Sequence, residues 1–208
     1  MTTEVISTDL MAALRRLKLS GLLTTLPERL TLARAQKMPY QDFLLVLLSD
    51  EVTRRDSLSA TLRAQRARLD TSMQLEAWDG TAKVTYDKML LNELVSMRFV
   101  EAHAHLAIVG PVGVGKTFLA HALGHIACRH GYSVLALRGD AMFKTLRHAR
   151  LDNSYEAELR KLIAVDLLIV DDFGLDSMGR RREPRCLRHL HRAAPCRLDG
   201  CHFQSRAR

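Results

Sequence analysis

Gly110-Pro111-Val112-Gly113-Val114-Gly115-Lys116-Thr117 fits G-x-x-x-x-G-K-[ST] at every position. The chemistry of a bound anion accounts for each residue type. Gly110, Gly113 and Gly115 permit positive φ and a close backbone approach, so that successive N–H groups turn inward as a nest. Lys116 brings a point charge to the β- and γ-phosphates of a nucleoside triphosphate, and the Thr117 hydroxyl is a ligand for Mg2+. The helix that follows aims its positive end at the same phosphates. A chance glycine turn matches this Walker A pattern in only about one chain in a hundred of this length. The expected nucleotide-binding residues are therefore Gly110, Pro111, Val112, Gly113, Val114, Gly115, Lys116, Thr117 and Phe118.

The flanks supply the context the loop needs. Leu106-Ala107-Ile108-Val109 is a short apolar run that suits a strand buried on both faces. Thr117–His130 places Leu119, Ala122, Leu123 and Ile126 on one helical face and is closed by Gly131. Further on, Ser133–Arg138 reads as a second strand, and Asp140–Arg150 as a helix. Asn153 with Glu156 has the spacing of a capping box for a helix over 155–165. Leu167–Val170 is a third strand, running into Asp171 and Asp172. Strand, helix, strand, helices, strand predicts a parallel sheet with helices on both faces. Asp171, at the end of a buried strand adjacent to the phosphate-loop strand, is the expected second holder of Mg2+. Asp172 then stands where an attacking water is polarised, so Lys116, Asp171 and Asp172 are the candidate catalytic residues.

Towards the N-terminus the periodicity is helical. Thr8 or Asp9 caps a helix carrying Leu10, Ala13, Leu14 and Leu17, Pro27 suits the first turn of a second, and a long helix runs from Tyr40 to Leu69. Its later part holds Arg54, Arg55, Arg63, Arg66 and Arg68 against the single acid Asp56. That is either a solvated face or a contact for DNA phosphates. Asp79-Gly80 marks a turn, and Tyr86–Glu101 reads as one more helix. Trp78 and Tyr86 precede the phosphate loop and either pack or cover an adenine. His121 and His125 share a helix face but lack the glutamate of H-E-x-x-H, which favours packing over metal. Cys128 reads as a small buried residue.

The chain has 208 residues, 47% hydrophobic and 26% charged, an ordinary globular composition. It has no apolar run long enough to cross a bilayer and no secretory leader pattern, which predicts a cytoplasmic protein. The net charge of +8 is not spread evenly. From Gly179 to Arg208 nine arginines face two acids, while the other 178 residues hold 22 bases and 21 acids. Three of the four cysteines also fall in that last segment. Its Cys186, His189, His191, Cys196, Cys201 and His202 match no common zinc spacing.

From Leu10 to Met178 the chain resembles the IstB-like ATPases, helpers of the transposases of bacterial insertion sequences. The resemblance rests on the phosphate loop continued through Phe-Leu-Ala-His-Ala-Leu-Gly, on His148-Ala-Arg-Leu-Asp-Asn-Ser, and on Val165-Asp-Leu-Leu-Ile-Val-Asp-Asp-Phe-Gly-Leu-Asp. It implies a P-loop NTPase of the AAA+ class, similar to DnaC-type helicase loaders. ATP and Mg2+ would be its cofactors, a transposase and DNA its partners, homo-oligomers its assembly and ATP hydrolysis its activity. Asp171 becomes the Mg2+-associated acid, and Asp172 stands where related proteins place a catalytic glutamate. After Met178 the family pattern is lost: the Arg-, His-, Cys- and Pro-rich run resembles a GC-rich gene read out of frame. The organisation expected is a helical region over 1–80, an α/β nucleotide domain over 81–178 with its parallel sheet incomplete, and an irregular basic tail over 179–208. Without its later strands, the sheet is expected to leave backbone on apolar strands unpaired. Two other readings share these features, a helicase loader and a remnant that binds DNA or partners without turnover.

Overall fold

The computed structural model describes residues 6–78, 84–85, 87–173, 201–202 and 204–205. Among them the chain forms α1 (Thr8–Arg16), α2 (Leu22–Ala35), α3 (Tyr40–Arg66), a 3-10 turn (Leu75–Ala77), β1 (Val84–Thr85), α4 (Lys88–Val95) and α5 (Arg98–Glu101). Then follow β2 (Ile108–Val109), α6 (Lys116–Arg129), β3 (Val134–Arg138), α7 (Gly139–Leu151), α8 (Tyr155–Ile163), β4 (Leu167–Asp171), β5 (Cys201–His202) and β6 (Gln204–Ser205). Two compact units divide the chain, Met1–Ser59 and Ala60–Arg208, with the boundary inside α3.

In the first unit Leu14, Leu22, Leu26 and Leu47 form a small core, with Leu30 and Phe43 packed on it. The cap of α1 is Ser7, whose hydroxyl accepts from Leu10 N–H at 3.2 Å, in place of Thr8 or Asp9. Pro27 sits inside α2, not in its first turn, because the helix already starts at Leu22. Its ring removes one main-chain donor, as any interior proline does.

The second unit holds the sheet. β3 and β4 are parallel, in a register that sets Val134 opposite Leu167 and Arg138 opposite Asp171. Alternate residues of this pair serve two cores, as the period of two requires. Val134, Ala136 and Ile169 join Leu119, Leu123 and Ile126 of α6. Leu135, Leu137, Leu168 and Val170 pack with Met142, Leu146 and Leu162 of α7 and α8. Helices thus cover both faces, the expected α/β arrangement. The outer edge of β3 is partly closed by Ala136 N–H, which donates to Ala67 O at 2.8 Å.

Several local expectations change. The helix foreseen over 86–101 breaks into α4 and α5 at Met97, which adopts a left-handed φ of 59° and is fully buried. Tyr86 and Asp79-Gly80 lie outside the described residues. Asn153 does not cap α8: it has φ 60°, the N-cap is Ser154, and Asp152 Oδ1 accepts from both the Ser154 N–H and hydroxyl. β2 is not buried on both faces, since Val109 is 49% exposed.

The strand order also differs from the expectation. The acid strand β4 pairs with β3 and not with the phosphate-loop strand. β2 instead pairs in parallel with Cys201–His202, and β1 pairs antiparallel with Gln204–Ser205. Tail backbone therefore lies against β2, where unpaired backbone was expected. No helix among the described residues is long and apolar enough to cross a membrane.

Candidate functional site: the phosphate loop and its acid

The loop between β2 and α6 takes its shape from two glycines. Gly113 has φ 85° and Gly115 φ 87°, the left-handed region that side-chain-bearing residues avoid. Gly110, also expected to take positive φ, is not among the residues that do. A methyl group on Gly113 would meet nothing within 4 Å, so conformation and not space requires glycine there. Val114 anchors the loop at 8% exposure, while Val112 stands out at its tip.

Gly115 is the N-cap of α6 and provides no side-chain cap. The first amides of a helix have no partner within it, and they carry the positive end of the dipole. Two left-handed glycines, an uncapped helix start and a lysine thus adjoin one another at the head of α6. Lys116 Nζ donates to Pro111 O at 2.6 Å, bridging its own loop.

Thr117 Oγ1 donates to Asp171 Oδ2 at 2.9 Å, across 54 residues of chain. The two meet although β2 and β4 are not paired, because α6 packs against β4 and brings its first turn to the strand's carboxyl end. A hydroxyl and a carboxylate are the hard oxygen donors that Mg2+ takes. Among the described residues there is no cluster of three His, Cys, Asp or Glu of the kind that alone holds a metal. That donor set suits an ion that keeps waters and phosphate oxygens as its remaining ligands. Asp172 adopts φ 51° and is exposed, and its Oδ2 lies 3.4 Å from Arg138 Nη2. Arg138 Nε also reaches Asp140 Oδ1, at 3.3 Å.

One feature of the site escaped the sequence reading. Phe118, His121, His125 and Arg129 form a stripe along α6, spaced at i, i+3, i+7 and i+11, and it carries the segment from Asp70 to Trp78. His121 Nδ1 accepts from Asp70 N–H at 3.0 Å, and His125 Nε2 bonds Asp70 O at 2.8 Å. Arg129 Nη1 donates to Glu76 at 2.7 Å, and the Trp78 ring meets Phe118 edge-on at 5.2 Å. Burial pushes the His121 pKa down against the pull of the Asp171 and Asp70 charges. That favours the neutral ring its acceptor role needs. The spacing of the stripe was readable; its partner segment was not. Cys128, 1% exposed, has its thiol pKa raised by burial.

The five arginines divide. Arg54 and Arg55 bond Glu51, Arg55 also donates to Lys18 O, and Arg63 donates to Cys128 O at 2.9 Å. Arg66 and Arg68 are exposed.

A parallel strand pair covered by helices on both faces, a glycine-rich loop at the head of α6 and an acid at the end of β4 are the parts of a P-loop nucleotide-binding fold. Residues 12–192 match the family described as "IstB-like ATP binding protein", so the match runs past Met178, where the pattern was expected to end, and the chain belongs to that family. An insertion-sequence protein of Mycobacterium tuberculosis, named as ATP-binding, is 36% identical over 163 residues, 78% of this chain and 65% of its own length. The corresponding protein of IS1162 from Pseudomonas fluorescens is 37% identical over 169 residues, 81% of this chain and 73% of its own. That of IS21 from Pseudomonas aeruginosa is 33% identical over 184 residues, 88% and 69% respectively. The chain thus spans about two thirds of the Mycobacterium relative's length.

Proposed function

We propose that this chain binds ATP with Mg2+ through Gly110–Phe118 and serves as a nucleotide-controlled helper of an insertion-sequence transposase on DNA. The observation that carries the nucleotide half is the Thr117–Asp171 hydrogen bond at 2.9 Å, beside a loop whose two left-handed glycines present amides to an anion. Thr117 and Asp171 would hold Mg2+, which neutralises charge on the β- and γ-phosphates when bound. Lys116 exchanges its loop carbonyl for phosphate oxygens. Family membership and the names of the relatives support the transposition half.

Asp172 is the residue for orienting water. Its carboxylate is exposed and lies 3.4 Å from the Arg138 guanidinium. DNA contact falls first on Arg66 and Arg68, since Arg54, Arg55 and Arg63 already serve internal partners.

Titration with ATP, with and without Mg2+, tests the reading. Lys116→Ala should weaken binding by at least about tenfold, equivalent to about 1.4 kcal/mol. Thr117→Ala should abolish the gain from Mg2+. Equal affinity of Lys116→Ala and the unaltered chain would overturn the assignment. Capture of an insertion-sequence transposase in an ATP-dependent manner supports the partner; capture of a replicative helicase instead gives the helicase-loader reading.

A further inference from the structure

Trp78 is the only tryptophan of the chain, and it is half-buried at the edge of the phosphate loop. A methyl group built on Gly115 would stand 3.6 Å from its Cη2 and 3.8 Å from its Cζ3. The same ring meets Phe118, the residue after the Mg2+-binding threonine, edge-on at 5.2 Å and 69°. The contacts of His121, His125 and Arg129 with Asp70 and Glu76 lay the preceding segment along α6. The helix that presents the phosphate-binding amides therefore also positions the indole.

Inorganic triphosphate needs only amides, a lysine and a cation. A nucleoside adds a flat, apolar base, and such a base gains from an aromatic surface next to the phosphates. Trp78 and Phe118 both border the loop and are both half-buried. Trp78 also packs, with Leu75, against the core that α6 shares with β3 and β4, and that packing holds its six-membered edge beside the last glycine of the loop.

We infer that Trp78, backed by Phe118, is the surface on which the base of the bound nucleotide rests, making this site select nucleotides over bare polyphosphate. The inference rests on the proposed triphosphate binding at Gly110–Thr117 and names the residue that recognises the rest of the ligand.

The test compares ATP with inorganic tripolyphosphate, both with Mg2+, on the full chain. Stacking on an aromatic side chain contributes about 1–3 kcal/mol per base. Trp78→Leu should therefore weaken ATP by about tenfold and leave tripolyphosphate unchanged, and Trp78→Phe should restore most of the loss. In the unaltered chain, ATP should shift the Trp78 emission while tripolyphosphate does not, and the indole should transfer energy to a mant-labelled ATP. This second measurement needs no variant to fold. Equal weakening of both ligands by Trp78→Leu, or equal emission changes, would make Trp78 a packing residue and overturn the inference while phosphate binding stands. Binding of neither ligand by the unaltered chain would remove the phosphate-site reading, and the inference with it.

Discussion

Glu51 is 3% exposed, and its carboxylate accepts from Arg54 Nε and Arg55 Nε, each at 2.7 Å. The Arg54 hydrogen bond is the main cause that holds its pKa at about 2, below the ordinary 4.5; burial opposes and Arg55 adds to the lowering. A carboxylate depressed on folding stabilises the protein above its unfolded pKa, and the contribution is lost as pH falls through the folded value. The loss should therefore run from about pH 4.5 down to about 2. Gly21 lies against this pair: a methyl group there would collide with the Arg54 guanidinium and stand 2.6 Å from Glu51 Oε2. Gly21→Ala should lower the melting temperature at neutral pH and flatten its dependence on acid below pH 4.5, as Glu51→Gln should. Melts that superimpose on those of the unaltered chain would show that the pair contributes nothing. The same residues explain why an arginine-rich stretch overstates a nucleic-acid surface. Two of its five side chains neutralise a buried acid that the sequence, lacking a view of burial, leaves unweighted.

α6 is the element on which the site depends. Its buried face carries Leu119, Leu123 and Ile126, each at most 5% exposed. Burying such a side chain contributes about 1.5–3 kcal/mol. Gly124 sits where the helix meets Leu69 and Ile169, and a methyl group there would stand 2.8 Å from Leu69 Cδ2 and 2.9 Å from Ile169 Cδ1. Gly124→Ala gains helix propensity of about 1 kcal/mol and incurs overpacking of about 1–3 kcal/mol. Because Ile169 and Asp171 share β4, the strain bears on the acid as well as the core. The expected outcome is a lower melting temperature, and Mg2+-dependent ATP affinity that falls more than metal-free affinity. A variant with unchanged stability and metal dependence would show that the helix shifts freely on its strand.

At the scale of the whole molecule, charge and fold separate. The basic excess belongs to the last thirty residues, whereas residues 1–178 are nearly neutral. DNA affinity read from the pI would therefore mostly report the tail. If Arg66 and Arg68 each neutralise one phosphate of duplex DNA, replacing both with Ser should reduce the slope of log affinity against log salt by about 1.8. Replacing Arg54 and Arg55 should change the slope less and the stability more. An unchanged slope in the first variant would place the DNA contact elsewhere.

The amino-acid sequence by itself placed a glycine-rich loop between strand and helix, with Gly113 and Gly115 where a left-handed φ is needed; that Gly110 does not share that φ was decided only by the tertiary structure. The sequence also determined that helices and strands alternate, because the periods of 3.6 and 2 are written locally into residues 106–171. Tertiary structure decided which elements meet. Strand pairing joins segments far apart in the chain through backbone groups that all residues share, so no side-chain pattern announces that β4 lies beside β3 and not β2. For the same reason Thr117 reaches Asp171 through the packing of α6 rather than across neighbouring strands. The seating of Asp70–Trp78 on the α6 stripe, and the burial of Glu51 under two arginines, likewise arise only when separate surfaces close on one another and exclude water.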